Sequence, residues 1–255
     1  MSLSPAPPES SKGVFSDLRR FLFRKPAIPT LLRFRSEAER EDYSHRILQR
    51  VGVSVERYAV LNIHRIGIEA PVLHVFRELS DWDATSVWWP NHLATVDRAH
   101  GSLEELRIIP FGRLGRSQPA AKRSSRPPGR TLFELKALKI SSRPHSADFD
   151  NARYLLYECK GGYPIGVFVM YVRSPIAENE ETESAQIFFS VGFDFYGKKG
   201  WTRANPVNKL WEIVHNRVTA NILNRFKQLC EWEFEDSSGA VFELSRPGVT
   251  VANPE

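Results

Sequence analysis

Six segments of β-type sequence follow one another between residues 93 and 196 without a helical stretch among them, and a single long helix follows; this order constrains the fold most. The segments are 93–99, 103–111, 131–141, 153–159, 163–173 and 184–196, and Gly161-Gly162 offers a two-residue hairpin turn between two of them. Parallel neighbours would need crossover connections, so an unbroken series predicts an antiparallel meander. The last segment alternates. Ile187, Phe189, Val191, Phe193 and Phe195 share one face, with Phe188, Ser190, Gly192, Asp194 and Tyr196 on the other. In the segment before it, Tyr163, Ile165, Val167, Val169 and Tyr171 are expected on one face, opposite Phe168 and Met170. The first set of each strand is assigned to the side of the helix.

That helix has Asn205 as its N-cap and Pro206 at the first helical position, and its pattern runs to about Glu233, with residues 236–255 expected as a tail. At 100° per residue, Val207, Leu210, Trp211, Val214, Val218, Ile222, Phe226 and Leu229 form one apolar arc. His215, Thr219, Asn221 and Arg225 project into or beside it. Polar groups in a packed arc are costly unless hydrogen-bonded, so these four either line a cavity as ligand contacts or lie at the margin and find partners there.

Upstream, Ser36 and Glu39 have capping-box spacing for a helix over 36–50, which Tyr43, Ile47, Leu48 and Val51 can dock onto the body. Residues 58–69 read as a strand ended by Ala70-Pro71, and Pro71 opens a short helix through Val72, Val75, Phe76 and Leu79. Asp81 or Asp83 caps a second one, reaching Trp88 and Trp89 before Pro90 stops it. The order predicts an α+β fold: a curved antiparallel sheet of about seven strands around a long C-terminal helix, with two short helices at one end.

At Ile68 to Asp81 (I-E-A-P-V-L-H-V-F-R-E-L-S-D) the chain resembles the opening motif of the START-like or SRPBCC superfamily, which includes Bet v 1-like, polyketide cyclase and lipid-transport proteins. Trp88-Trp89-Pro90 resembles its aromatic-Pro element, and the last helix its closing helix. The resemblance covers about residues 58–235, leaving a 1–57 extension and the tail outside it. It implies a helix-grip fold with an enclosed apolar cavity for a lipid, polyketide, sterol or similar ligand. Expected ligand contacts are Trp211, His215, Val218, Thr219, Asn221 and Arg225 on the helix, with His92 and with Trp88 and Trp89, which beside Trp82 either stand near the entrance or plug the end of the core. Arg107, Tyr163, Tyr171, Phe189 and Phe193 are the expected contacts on the sheet.

Cyclases of the superfamily use a few acids, bases or hydroxyls, and His64, His92, Glu105, Arg107, Tyr157 and His215 have that chemistry. None sits in a recognisable motif. There is no H-x-x-x-H pair, Gly-rich phosphate loop or G-x-S-x-G turn, so no catalytic residue, cofactor or metal is assigned. The expected function is binding of a hydrophobic or amphipathic small molecule, as a carrier. The alternatives are a cyclase or aromatase acting on such a ligand, and a non-catalytic interaction module.

The net charge of +5 is unevenly placed. Arg113, Arg116, Lys122, Arg123, Arg126 and Arg130 occupy a loop with no acid, and residues 1–57 hold 11 basic and 7 acidic residues, so the remaining body is net acidic and a nucleic-acid groove is not expected. Residues 1–12 are Pro- and Ser-rich and expected to be disordered. Phe15, Leu18, Phe21 and Leu22 with Arg19, Arg20, Arg24 and Lys25 make a short basic amphipathic stretch. It either packs on its own domain or meets an anionic membrane. Arg19, Arg20, Phe21, Arg123 and Arg126 are the candidate contacts for a membrane or partner. No apolar run is long enough for a transmembrane segment. Cys159 and Cys230 make neither a disulfide framework nor a thiolate metal site, which fits a reducing compartment; the expected location is cytoplasmic, with the basic stretches as the reason to expect it at the periphery of a membrane. An organelle transit peptide within residues 1–35 is the other reading of that acid-poor start.

Overall fold

The computed structural model describes residues 19, 21–52, 59–82, 86, 88–90, 94–98, 104–110, 133–141, 152–160, 165–175, 184–193 and 206–244. The elements are α1 (Glu37–Arg50), β1 (Ala59–Ile68), α2 (Val72–Ser80), β2 (Ala94–Arg98), β3 (Glu105–Pro110), β4 (Phe133–Ser141), β5 (Arg153–Lys160), β6 (Ile165–Arg173), β7 (Ala185–Phe193) and α3 (Pro206–Leu244). All seven strands join one antiparallel sheet in the order β1-β7-β6-β5-β4-β3-β2. The meander therefore closes back on the first strand. Register shifts at Val60/Asn62, Ala137/Lys139 and Ile165/Val167 are bulges of the kind that bend strands and curve a sheet. With a long C-terminal helix against the first strand and α2 over the middle, this is the helix-grip architecture. The second short helix expected before Pro90 falls largely outside the described residues.

Both faces of the sheet are buried. On one, Ile66, Ile68, Leu155, Tyr157, Phe168, Met170, Ile187, Val191 and Phe193 pack with α2 and with Leu223, Phe226 and Cys230 of α3. On the other, Ile63, Tyr154, Leu156, Val167, Val169, Tyr171 and Phe188 pack with Ile47, Leu48 and Val51 of α1 and its end. The β7 alternation is as the sequence implies. The β6 assignment is reversed: Phe168, Met170 and Val172 look toward α3, while Val167, Val169 and Tyr171 lie under α1. With apolar residues on both faces, β6 alone carries no signal of which side is which. Pairing decides it, because Met170 stands opposite Phe189 and Tyr171 opposite Phe188, and the bulge at Ile165/Val167 breaks the alternation that had linked Ile165 to Val167.

α1 starts with the first half of its capping box, Ser36 Oγ accepting from Glu39 N at 3.1 Å, while Glu39 Oε2 reaches one residue past the cap and accepts from Arg35 N at 2.8 Å. α3 is longer than expected. It continues through residues assigned to a tail as far as Leu244, 39 residues or about 58 Å. Apolar periodicity ends near Phe234, but extending a formed helix is easy compared with nucleating one, and Ser237 Oγ donates back to Phe234 O at 2.9 Å.

Residues 21–34 form a strap between the sheet edge and α3. Thr30 O accepts from Arg65 N and Leu32 N donates to Ile63 O, at 2.8 and 2.9 Å, so the strap covers part of the free edge of β1. Its earlier half is clamped to α3. Asn224 accepts from Ile28 N at 2.8 Å and donates to Ile28 O at 3.0 Å, and Asn221 donates to Phe21 O and Arg24 O at 2.7 and 3.1 Å.

Candidate functional site

Seven aromatic side chains form a continuous array on the α3 side of the sheet. Trp82, buried just after α2, has ring centroids within about 6 Å of Trp88 (6.1 Å), Trp89 (5.0 Å), Tyr157 (5.9 Å) and Phe168 (5.7 Å). Phe168 stacks between Tyr157 at 5.1 Å and Phe189 at 5.6 Å, and Trp88 meets Phe226 of α3 edge-on at 5.2 Å. Alternation explains why Tyr157, Phe168 and Phe189 meet, since each points to the same face of three adjacent strands. The indoles of the outer pair are satisfied by backbone carbonyls, Trp88 Nε1 donating to Glu78 O at 3.0 Å and Trp89 Nε1 to Ala94 O at 2.6 Å.

The centre differs from the rim. Trp82 Nε1 and Tyr157 Oη are buried, and neither has a hydrogen-bond partner among the described residues. A buried donor left unpaired costs about 1–3 kcal/mol, so two in one aromatic field are a notable concentration. Burial pushes the Tyr157 phenol well above its ordinary pKa, only partly opposed by the charge of Arg98, so the hydroxyl stays protonated and can donate. Arg98 is held on this side by the carbonyls of Trp82 and Ser80, at 3.1 and 2.5 Å. The nearby Cys159 thiol is also pushed up, by burial and then by Glu158, which keeps it from acting as a thiolate.

A second polar group lies in the seam between β1 and α3. His64, fully buried, has Nδ1 2.8 Å from Thr30 Oγ1 and Nε2 3.2 Å from Asn216 Oδ1. These partners place the ring proton on Nε2, donating to Asn216, with Nδ1 accepting from the threonine. Burial drives its pKa down to about 4, so the ring is neutral at pH 7. One residue before Asn216 on α3, His215 lies edge-on to Phe193 at 5.3 Å, with Thr219 Oγ1 3.4 Å from its Nδ1. Burial, and then the nearby His64, lower its pKa to about 3. Glu212 is raised by burial, against the opposing charge of Arg40 at 3.5 Å.

Of the residues expected on sequence grounds, Trp88, Trp89 and Phe189 stand in the aromatic array, and Trp211, Phe193, His215 and Thr219 lie on the same side of the sheet. Val218 is half-buried. Three are placed elsewhere. Tyr171 lies under α1, Arg225 is exposed, and Asn221 is spent on the strap. His92, Tyr163, Arg20, Arg123 and Arg126 lie outside the described residues, as does the side chain of Arg107, whose backbone sits on β3 opposite Asp97 and Glu134. Arg19 is exposed and Phe21 half-buried. The residues that sequence reasoning missed are Asn216, Asn224 and Thr30. A signal existed: asparagine is a poor helix former, and its repetition at 216, 221 and 224 in mid-helix points to side chains with specific bonds to make. Among the described residues no cluster could hold a metal ion.

No family model matches the chain, and no curated protein matches it in sequence. Among solved structures it is similar to the Zhui aromatase/cyclase from Streptomyces, at 14% identity over 66% of this chain and 92% of that one, TM-score 0.40. It is also similar to a polyketide_cyc-like protein from Corynebacterium glutamicum, at 14% identity over 73% and 95% of the two chains, TM-score 0.32. Norcoclaurine synthase from Thalictrum flavum is similar at 12% identity over 66% of this chain and 83% of its own, TM-score 0.36. No side-chain role is taken from any of them.

Proposed function

We propose that the protein binds an apolar or amphipathic small molecule against the aromatic array, with Tyr157 Oη and Trp82 Nε1 as hydrogen-bond donors to it. The two buried donors without partners carry this reading. A guest bearing a carbonyl, hydroxyl or ether oxygen would supply the acceptor both lack, while its apolar part would rest on Phe168, Phe189 and Trp82. Few polar anchors in a mostly aromatic surround are the usual make-up of a small-molecule site.

Native mass spectrometry of freshly purified protein, followed by displacement of an apolar fluorescent probe, tests it. A co-purifying small molecule, or probe uptake weakened by Tyr157→Phe, is the expected result. Absence of both would sink the reading.

A cyclase or aromatase acting on the same guest would also need a proton acceptor. His215, neutral at pH 7 and seated on the inner side of α3 beside Phe193, has that chemistry, whereas the ring nitrogens of the equally neutral His64 are engaged by Thr30 and Asn216. Under the carrier reading, His215→Leu changes affinity at most; under the catalytic one it abolishes turnover of a bound polyketide-like guest.

A further inference from the structure

From Arg19 to Ser36 the chain has no acidic residue. The described cations of this run, Arg19, Arg24, Lys25, Arg33 and Arg35, are all exposed, and none takes part in a described ion pair. Large apolar side chains are exposed among them. Phe23 is 77% exposed, and Ile28 and Leu31 also face outward.

This segment is fixed in place. Asn221 grips the carbonyls of Phe21 and Arg24, Asn224 grips both backbone groups of Ile28, and Arg217 Nη1 reaches Arg24 O at 3.4 Å. On the same face of α3, within two turns N-terminal of Arg217, Val214, Ile213 and Leu210 are exposed, Leu210 by 63% and Ile213 by 58%. At 1.5 Å per residue, the stretch from Leu210 to Asn224 is about 21 Å long. Phe23 therefore stands at the junction of a cationic strap and an apolar helical stripe, held there by Asn221, a residue expected on sequence grounds to contact a ligand, together with Asn224 and Arg217.

We infer that this face docks on an anionic lipid bilayer, with Phe23, Ile213 and Leu210 entering the interface and Arg24 and Lys25 meeting the headgroups. Charge complementarity selects that partner. Unneutralised cations interleaved with protruding apolar side chains suit a surface that offers negative charge outside and hydrocarbon beneath. The clamp has a consequence for binding, because a pre-ordered strap loses less conformational freedom on docking than a free peptide would.

The test is co-sedimentation of the full chain with vesicles of phosphatidylcholine alone and of phosphatidylcholine mixed with phosphatidylserine. The wild type is expected to bind only the mixed vesicles, and less as salt is raised. The double variant Arg24→Glu/Lys25→Glu should bind roughly 30-fold more weakly or worse, from the contribution of each basic residue near such a surface. Phe23→Ser should weaken binding to the same vesicles and leave a more salt-sensitive remainder. Thermal unfolding checks that these exposed substitutions leave the fold intact; if the reversal unfolds the chain, Arg24→Gln/Lys25→Gln gives the same reading with a smaller change. Equal binding to neutral vesicles, no binding to anionic ones, or anionic binding indifferent to both variants each overturns the inference. The last outcome would assign the contact to the basic loop at 113–130. None of these readouts depends on a guest in the aromatic array.

Discussion

Thr30 Oγ1 lies 2.8 Å from His64 Nδ1, so a residue of the N-terminal strap completes the hydrogen bonding of a histidine buried in the first strand. The other ring nitrogen is engaged by Asn216 of α3. One imidazole thereby joins the strap, the sheet and the long helix, and it does so in its neutral form.

Protonation should undo that junction. The folded pKa of His64 is about 4 against 6.5 for the free side chain, so the unfolded chain binds the extra proton first. Its contribution is fully present above pH 6.5 and falls as pH drops from there toward 4, by about 3 kcal/mol in total. His215, shifted in the same direction, adds to the trend. Urea unfolding at several pH values between 7.5 and 4.5 measures it, and a flat profile across that window would refute the assignment.

Detaching the strap should be local and measurable. Asn224→Ala removes both bonds to the backbone of Ile28, at a cost of about 1–2 kcal/mol. Hydrogen exchange at the Ile28 amide should accelerate while amides of β5 and β6 keep their protection. Global loss of protection would mean that the strap is integral to the cooperative core.

Tyr157→Phe should have opposite effects on stability and binding. The hydroxyl is buried with no partner among the described residues, so removing it without a guest present is neutral or stabilising by up to about 1 kcal/mol. For a guest with an acceptor oxygen, affinity falls by about 1 kcal/mol or more. The pair of unfolding midpoints, with and without guest, reads both signs in one experiment.

Phe226→Ala should cost about 3–5 kcal/mol, because the ring is 1% exposed and packs edge-on against Trp88. Chemical denaturation gives the number. A loss below about 1 kcal/mol would show that the aromatic array does not rely on α3 for support.

Much of the architecture was legible because it depends on local pattern. Pro206 opened α3 where the sequence placed it, Ser36 capped α1, and the alternation of β7 put Phe189, Val191 and Phe193 on the helix side. Face assignment for β6 was not legible. Phe168 and Tyr171 are both aromatic and buried, and only their partners across the sheet tell them apart. The fates of Asn221 and Arg225 were equally hidden, since a helical wheel gives angle but not neighbour. Asn221 found the strap, a segment some 200 positions away in the chain, and Arg225 came to lie on the exposed side of the helix.

What the amino-acid order determined by itself was the succession of strands and helices, because turns, caps and periodicities act within a few residues. The tertiary structure alone decided which polar side chains became internal ties and which were left buried without a partner. Those outcomes turn on meetings between distant segments, such as Thr30 with His64 or Trp82 with Tyr157, and short-range propensity carries no record of them.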